Sequence, residues 1–317
     1  MSKMIAGRLT RLALTLMVVS FVTFVGVNVL PGDAINALIP IDAQQDQEFV
    51  EQVREEWGLN DPMLVRYGRW LGNAVQGDLG DSIVTGRPVT DEIVHRLPIT
   101  LEIMFVAVGL SLLLAIPLGL LSAYREGRRP DRVISGVAQL ALSMPVFVTG
   151  LILIYFFALK LHWFPATGWN RLSEGIGPNL KTVALPAISL AITEAAVYTR
   201  VLRSDVITTL KENYILSARA KGLTDRYILF RHGLRPSLLT LVTVVGLSIG
   251  TLIGGTLVVE YLFAIPGIGR RIFSAIYQRD FMMVQGITIL ITAFYVIVNT
   301  VVDLAYMVVD PRIRRTS

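Results

Sequence analysis

Gly246, Leu247, Ser248, Ile249 and Gly250 spell G-x-S-x-G, the spacing that holds a serine nucleophile on a sharp strand-to-helix turn. Such a serine needs a histidine base, and His95, His162 and His232 all fall outside the apolar run that contains Ser248. An intramembrane hydrolase is set aside on that ground. The same stretch reads better as Gly246, Gly250 and Gly254 at intervals of four, a small-residue stripe that lets another helix approach closely. Polar groups within or beside apolar runs are few: Asn28, Glu102, Glu194, Glu260, Asn299 and Asp303. In hydrocarbon such groups are costly and mark function by default. Glu102, Glu194 and Glu260 fall near run ends, where capping or interfacial water satisfies them. Asn299 and Asp303 lie one turn apart on one face, placed either to bond a neighbouring helix or to contact a solute. No G-x-x-x-x-G-K-[ST] occurs, so the chain cannot cradle ATP phosphates with a P-loop of its own. There is no cysteine either, which removes disulfides and thiolate metal sites.

The elements that must position these residues are membrane helices. Of the 317 residues 53% are hydrophobic and 17% charged, more apolar surface than a soluble core of this size can bury. Runs near the roughly 20 residues that cross a bilayer appear at 9–30, 101–121, 133–159 (through Pro145), 238–262 and 284–309, with a shorter one at 183–198. This predicts an all-α polytopic protein, a single transmembrane domain over 1–317 with six spans. The first run follows Lys3, Arg8 and Arg11 but is too long for a signal h-region, so it is read as a retained helix. Pro117, Pro145 and Pro186 permit kinks in three runs. Trp70, Trp163 and Trp169 are expected to anchor the outer boundary.

Charge orients the spans. The N-terminus, 122–132, 199–236 and the C-terminus fall on one side and hold 18 of the 29 Lys and Arg residues, which makes that side, with both termini, cytoplasmic. The net charge of +5 reflects these inner-face residues, and nucleic acid is not an expected partner. Segment 31–98 then lies outside. Its acidic half (Asp42, Asp46, Glu48, Glu51, Glu55, Glu56, Asp61) either docks a basic partner or is a solvated surface. The inner segment 199–236 reads as a helix, a turn at Gly222 and a second helix, with Tyr214, Ile215 and Ala218 along one face able to enter a groove on a soluble partner.

Within that segment NYILSARAKGL, Asn213 to Leu223, resembles the coupling loop of dipeptide and oligopeptide ABC permeases. LPGDA at 30–34, GDLGDSIVTGRPV at 77–89, PGIGR at 266–270, RDFMMVQG at 279–286 and VDLAYMVVDPRIR at 302–314 resemble the same peptide/nickel importer family, in its order and in its first-permease style. Two positions depart from the broader pattern. Leu216, Ser217 and Ala218 stand where other ABC permeases have Glu-Ala-Ala, and Thr240 stands where a proline is common, with Pro236 four residues earlier. The resemblance implies a type I ABC importer permease of six helices in the bacterial inner membrane. It implies a second homologous permease, two cytoplasmic ATP-binding-cassette subunits that bind the ATP, and an extracytoplasmic solute-binding protein. It also implies that Glu212, Tyr214, Ala218, Arg219, Ala220, Lys221, Gly222 and Leu223 engage the ATPase. The family's solutes include peptides, glutathione, nickel chelates and oligosaccharides. A proton- or sodium-coupled carrier is the competing class; it ordinarily carries internal repeats and midplane charge, and only Asp303 fits.

Overall fold

The computed structural model describes residues 2–29, 48, 51–52 and 60–309, the side chains of 2–6, 8–9, 27–29 and 303–309 excepted. LPGDA, the acidic Asp42, Asp46, Glu55 and Glu56, the side chains of Asn28 and Asp303, and the C-terminal arginines lie outside the described residues. Within them the regular structure is helical, apart from one bridge between Asp81 and Pro88.

The helices are α1 (Ser2–Val29), α2 (Met63–Val75), α3 (Val89–Tyr124), α4 (Arg129–Ser143), α5 (Val146–Lys160), α6 (Ile176–Leu210), α7 (Asn213–Ala220), α8 (Asp225–Leu262), α9 (Ile268–Tyr277) and α10 (Phe281–Val309). Of these, α3, α6, α8 and the 281–302 part of α10 are long and apolar enough to cross a bilayer. α4 and α5 qualify only as a pair, bent by 103°, and α1 contributes the shorter apolar stretch Thr10–Gly26. These helices take up the six apolar runs of the sequence.

Prolines act differently by position. Pro145 ends α4, because the residue before a proline is driven to extended backbone and Met144 has φ −95°, ψ 124°. The run at 133–159 is therefore two helices at a steep angle rather than one kinked span. Pro117 and Pro186 are absorbed within continuous helices. α6 is 35 residues long and reaches well beyond both ends of the run at 183–198, which moves Glu194 from an expected end to the helix middle.

The chain divides into two compact units, 1–99 with 266–296 and 100–265 with 297–317. In the first, α2 packs on α1: the Tyr67 hydroxyl lies 2.8 Å from Ser20 Oγ, and its ring meets Phe21 and Phe24 edge-on. Trp70 stacks on Tyr67 and is only 6% exposed, so it is a core residue and not the interfacial anchor expected of it. Trp163, by contrast, is exposed.

The second unit is built around α6. Tyr198, Leu202 and Val206 face Ala115 and Leu120 of α3 and Leu241 of α8, while α4 and α5 pack on other parts of α6. The three stripe glycines differ. A Cβ on Gly246 would collide with Val302 of α10; Gly250 is buried; Gly254 is exposed with nothing near it. We expect Gly246→Leu to destabilise the purified chain by about 1–3 kcal/mol, the cost of overpacking, and Gly254→Leu to leave it unchanged. Thermal unfolding in detergent checks the pair, and equal loss from both would contradict the packing.

Candidate functional site: a coupling helix and two charge networks

The segment that resembles a coupling loop begins where α6 ends. Glu212 takes the N-cap position of α7 in extended backbone without a side-chain cap bond. α7 closes on a full Schellman turn: the Gly222 N–H bonds the Arg219 carbonyl at 2.9 Å and the Leu223 N–H the Ala218 carbonyl at 3.3 Å. Gly222 holds φ +77°, a left-handed conformation that glycine adopts without steric cost. Thr224 then caps α8 by accepting from the Tyr227 N–H. Helix, turn and helix are thus as the sequence indicates.

The faces of α7 are not. Ile215 is fully buried and Ala218 is 6% exposed, and both pack against Ile228 of α8 and Leu210 of α6. A short helix needs an apolar anchor on its own chain, and these two supply it. What α7 presents outward is Tyr214, Leu216, Arg219 and Ala220, followed by Lys221 and Leu223. Leu216, at 59% exposure, and Ala220 share one face at i and i+4.

Tyr214 ties α7 to α8. Pro236 lacks an N–H, and its ring would crowd the carbonyl of His232 four residues before it. Segment 228–234 is π-helical, which relaxes that register, and the Tyr214 hydroxyl donates to the His232 carbonyl at 3.4 Å. Burial, then the Glu212 carboxylate, push the Tyr214 phenol above its usual value, so it stays protonated as a donor. The helix passes through Thr240 without interruption.

A charge clamp holds the same end of this unit. The Asp131 carboxylate of α4 is 4% exposed and takes both arms of the Arg203 guanidinium of α6, Nε at 2.6 Å and Nη2 at 2.8 Å. Ser122 Oγ and the Gly127 N–H donate to it as well, at 2.6 and 2.8 Å. This bidentate geometry is the strong form of an ion pair. Beside it a cleft of about 540 Å³ is lined by Arg125, Arg128, Lys211 and Arg219.

The other unit has its own network. Arg271 of α9, 6% exposed, reaches Glu92 of α3 at 2.7 Å through Nε, and Asp280 and Ser82 at 2.9 and 3.0 Å through Nη2. Ser82 Oγ donates to Asp280, Thr85 Oγ1 donates to Glu92 at 2.6 Å, and Arg96 lies 3.5 Å from Glu92. The stretches at 77–89 and 279–286, through Ser82 and Asp280, thereby meet at the guanidinium of the residue that follows 266–270. Sequence reasoning matched all three stretches and missed their meeting point.

Of the remaining residues, Asn179 Nδ2 donates to Glu102 at 2.6 Å, which pairs that carboxylate between α6 and α3, and Asn299 is half-buried. Ser248 sits in unbroken helix, 16 residues or about 24 Å along α8 from His232, which removes the strand-turn-helix context a nucleophilic serine requires. Among the described residues no group of three or more His, Asp or Glu could hold a metal ion.

Apolar helices and a broken span define a polytopic α-helical membrane protein. Residues 115–315 match the family model described as "binding-protein-dependent transport system inner membrane component", and 1–104 match the model for that family's N-terminal region. Over 93% of this chain, the oligopeptide transport system permease protein AppB of Bacillus subtilis is 40% identical, covered over 94% of its own length. The glutathione transport system permease protein GsiC of Escherichia coli O6:H1 is 35% identical over 97% of each chain. Among solved structures, an inward-facing methionine ABC transporter, MetNI, aligns with a TM-score of 0.57 at 18% identity, covering 69% of this chain and 96% of that one. The chain belongs to the family of binding-protein-dependent transport system inner membrane components and is a permease subunit of an ABC importer, a multi-pass protein of the inner membrane. The ion-coupled carrier is set aside.

Breaking the Arg271 network tests its role. Arg271→Met strands two buried carboxylates and should cost about 3–5 kcal/mol, whereas adding Glu92→Gln and Asp280→Asn should recover part of that. Thermal unfolding of the single and triple variants decides; additive losses would show that the three groups do not act together.

Proposed function

We propose that this permease carries a peptide or a related small solute inward, in an assembly with a second homologous permease, two ATP-binding-cassette subunits and an extracytoplasmic solute-binding protein. Both termini lie in the cytoplasm, on the side of the basic loops. The relatives named for oligopeptide and glutathione transport support the solute class. ATP binds to the cassette subunits alone, since this chain has no P-loop.

The observation that carries the reading is the build of α7. Its inner face is anchored by Ile215 and Ala218, while Leu216, Ala220 and Leu223 stand exposed beside Arg219 and Lys221. Exposed apolar residues on a helix held firmly from behind suit insertion into a groove on a soluble partner. The stripe at Gly246, Gly250 and Gly254 supports close helix approach on the other permease, with open Gly254 the position free for it. The external acidic stretch that includes Glu48 and Glu51 is the surface we assign to the binding protein.

The purified chain alone should hydrolyse no ATP. In the assembled transporter, Leu216→Glu should cut cassette co-purification and solute-stimulated hydrolysis about tenfold or more, as expected for a charge buried in an apolar interface. Ala218→Trp should instead unseat α7 from its own chain and lower thermal stability. Full attachment and full stimulated hydrolysis in Leu216→Glu would sink the coupling assignment, and robust hydrolysis by the chain alone would sink the subunit reading.

A further inference from the structure

α6 carries a carboxyl that nothing above employs. Glu194 stands mid-way along a 35-residue helix, half-buried in the bundle of its unit. Its Oε2 and the hydroxyl of Tyr198, one turn further on and with no exposure at all, stand close to each other without a well-formed hydrogen bond. Ser248 of α8 flanks both. Among the described residues no Lys, Arg or His forms an ion pair with Glu194. The next guanidinium along the helix, Arg200, is six residues on, about 9 Å along the axis.

A carboxylate drawn out of water without a counter-charge is costly, and it cannot face acyl chains. Its open side therefore faces protein or water, which in a permease is the seam along which solute passes. Glu194, Tyr198 and Ser248 offer one negative charge and several acceptor oxygens. A primary ammonium offers one positive charge and three N–H donors. The group missing from this cluster is a cation of that kind.

We propose that Glu194, with Tyr198 and Ser248, forms a subsite for the protonated amino group of the transported solute. This rests on the permease reading above and names the solute chemistry that reading leaves open. The partly exposed Ser248 hydroxyl beside the carboxylate favours a small hydrogen-bonding ammonium over a bare metal ion, since it can accept one N–H while buried Tyr198 backs the carboxylate from the core. The competing occupant is a basic side chain of the second permease.

The assembled transporter in lipid nanodiscs, without its binding protein, provides the test. Binding of trialanine and of N-acetyl-trialanine is measured by equilibrium dialysis for the wild type, Glu194→Gln and Glu194→Asp. Glu194→Gln should weaken trialanine about tenfold, the worth of one charge-assisted hydrogen bond, and leave the acetylated peptide unchanged. Glu194→Asp, which keeps the charge, should retain most of the affinity. Equal weakening of both peptides, no weakening, or no trialanine binding to the wild type overturns the subsite. Loss of the second permease from the Glu194→Gln complex assigns the carboxyl to that partner and overturns it too. Absence of ATP-driven uptake by the wild type in vesicles would strike the permease reading instead, and leaves the dialysis result standing.

Discussion

A polar group buried in protein is taken out of water, so it must bring its own hydrogen-bond partners. Arg271 shows that constraint at its most demanding. A guanidinium 6% exposed is tolerable because Glu92, Asp280 and Ser82 meet it from helix and loop together. The Asp131 carboxylate obeys the same rule with Arg203, Ser122 and the Gly127 N–H. In each unit the strongest tertiary fixings are charges that could not otherwise be there. Pairs of this kind add little net stability over apolar packing, but they punish any arrangement that separates them, and so specify one.

That specification matters for a subunit whose work is movement. The clamp at Asp131 joins α3, α4 and α6, and Lys211 between α6 and α7 reaches Glu126 at 3.2 Å, so the approach to α7 is held by directed bonds as well as apolar contact. Ile215 and Ala218 then fasten α7 to α6 and α8. The outward side chains are left to a partner. A single two-turn helix thus has one face bound to its own chain and one face left open.

Local signals were legible in the sequence, and contacts distant in sequence were not. Gly222 announced its turn because only backbone chemistry was involved, and the helix-turn-helix follows the expected pattern. Apolar runs located the helices but misjudged extents: Thr193, Glu194, Tyr198 and Arg200 dilute the hydropathy of α6, so its run ended early and Glu194 was placed at an end. The break at Pro145 looked like a kink because nothing local sets its angle. α7 has too few residues for periodicity to say which side faces its own chain, and Ala218 was assigned outward. The meeting of 77–89 with 279–286 at Arg271 spans nearly 200 positions, as the separation of 198 between Ser82 and Asp280 shows. No pattern within a window reports such a contact.

The π-helical stretch in α8 has a mechanical consequence. From Asp225 to Leu262 the chain is a 38-residue rod, about 57 Å long, that begins at the coupling turn. Its stiffness is not uniform. Between Ile228 and Leu234 the ring size is wider, Pro236 brings no N–H, and the His232 carbonyl takes a hydrogen bond from Tyr214 of α7. Beyond Pro236 the ladder is regular. The π-helical stretch is therefore the part of the rod whose winding changes at least cost, next to the turn that joins it to α7.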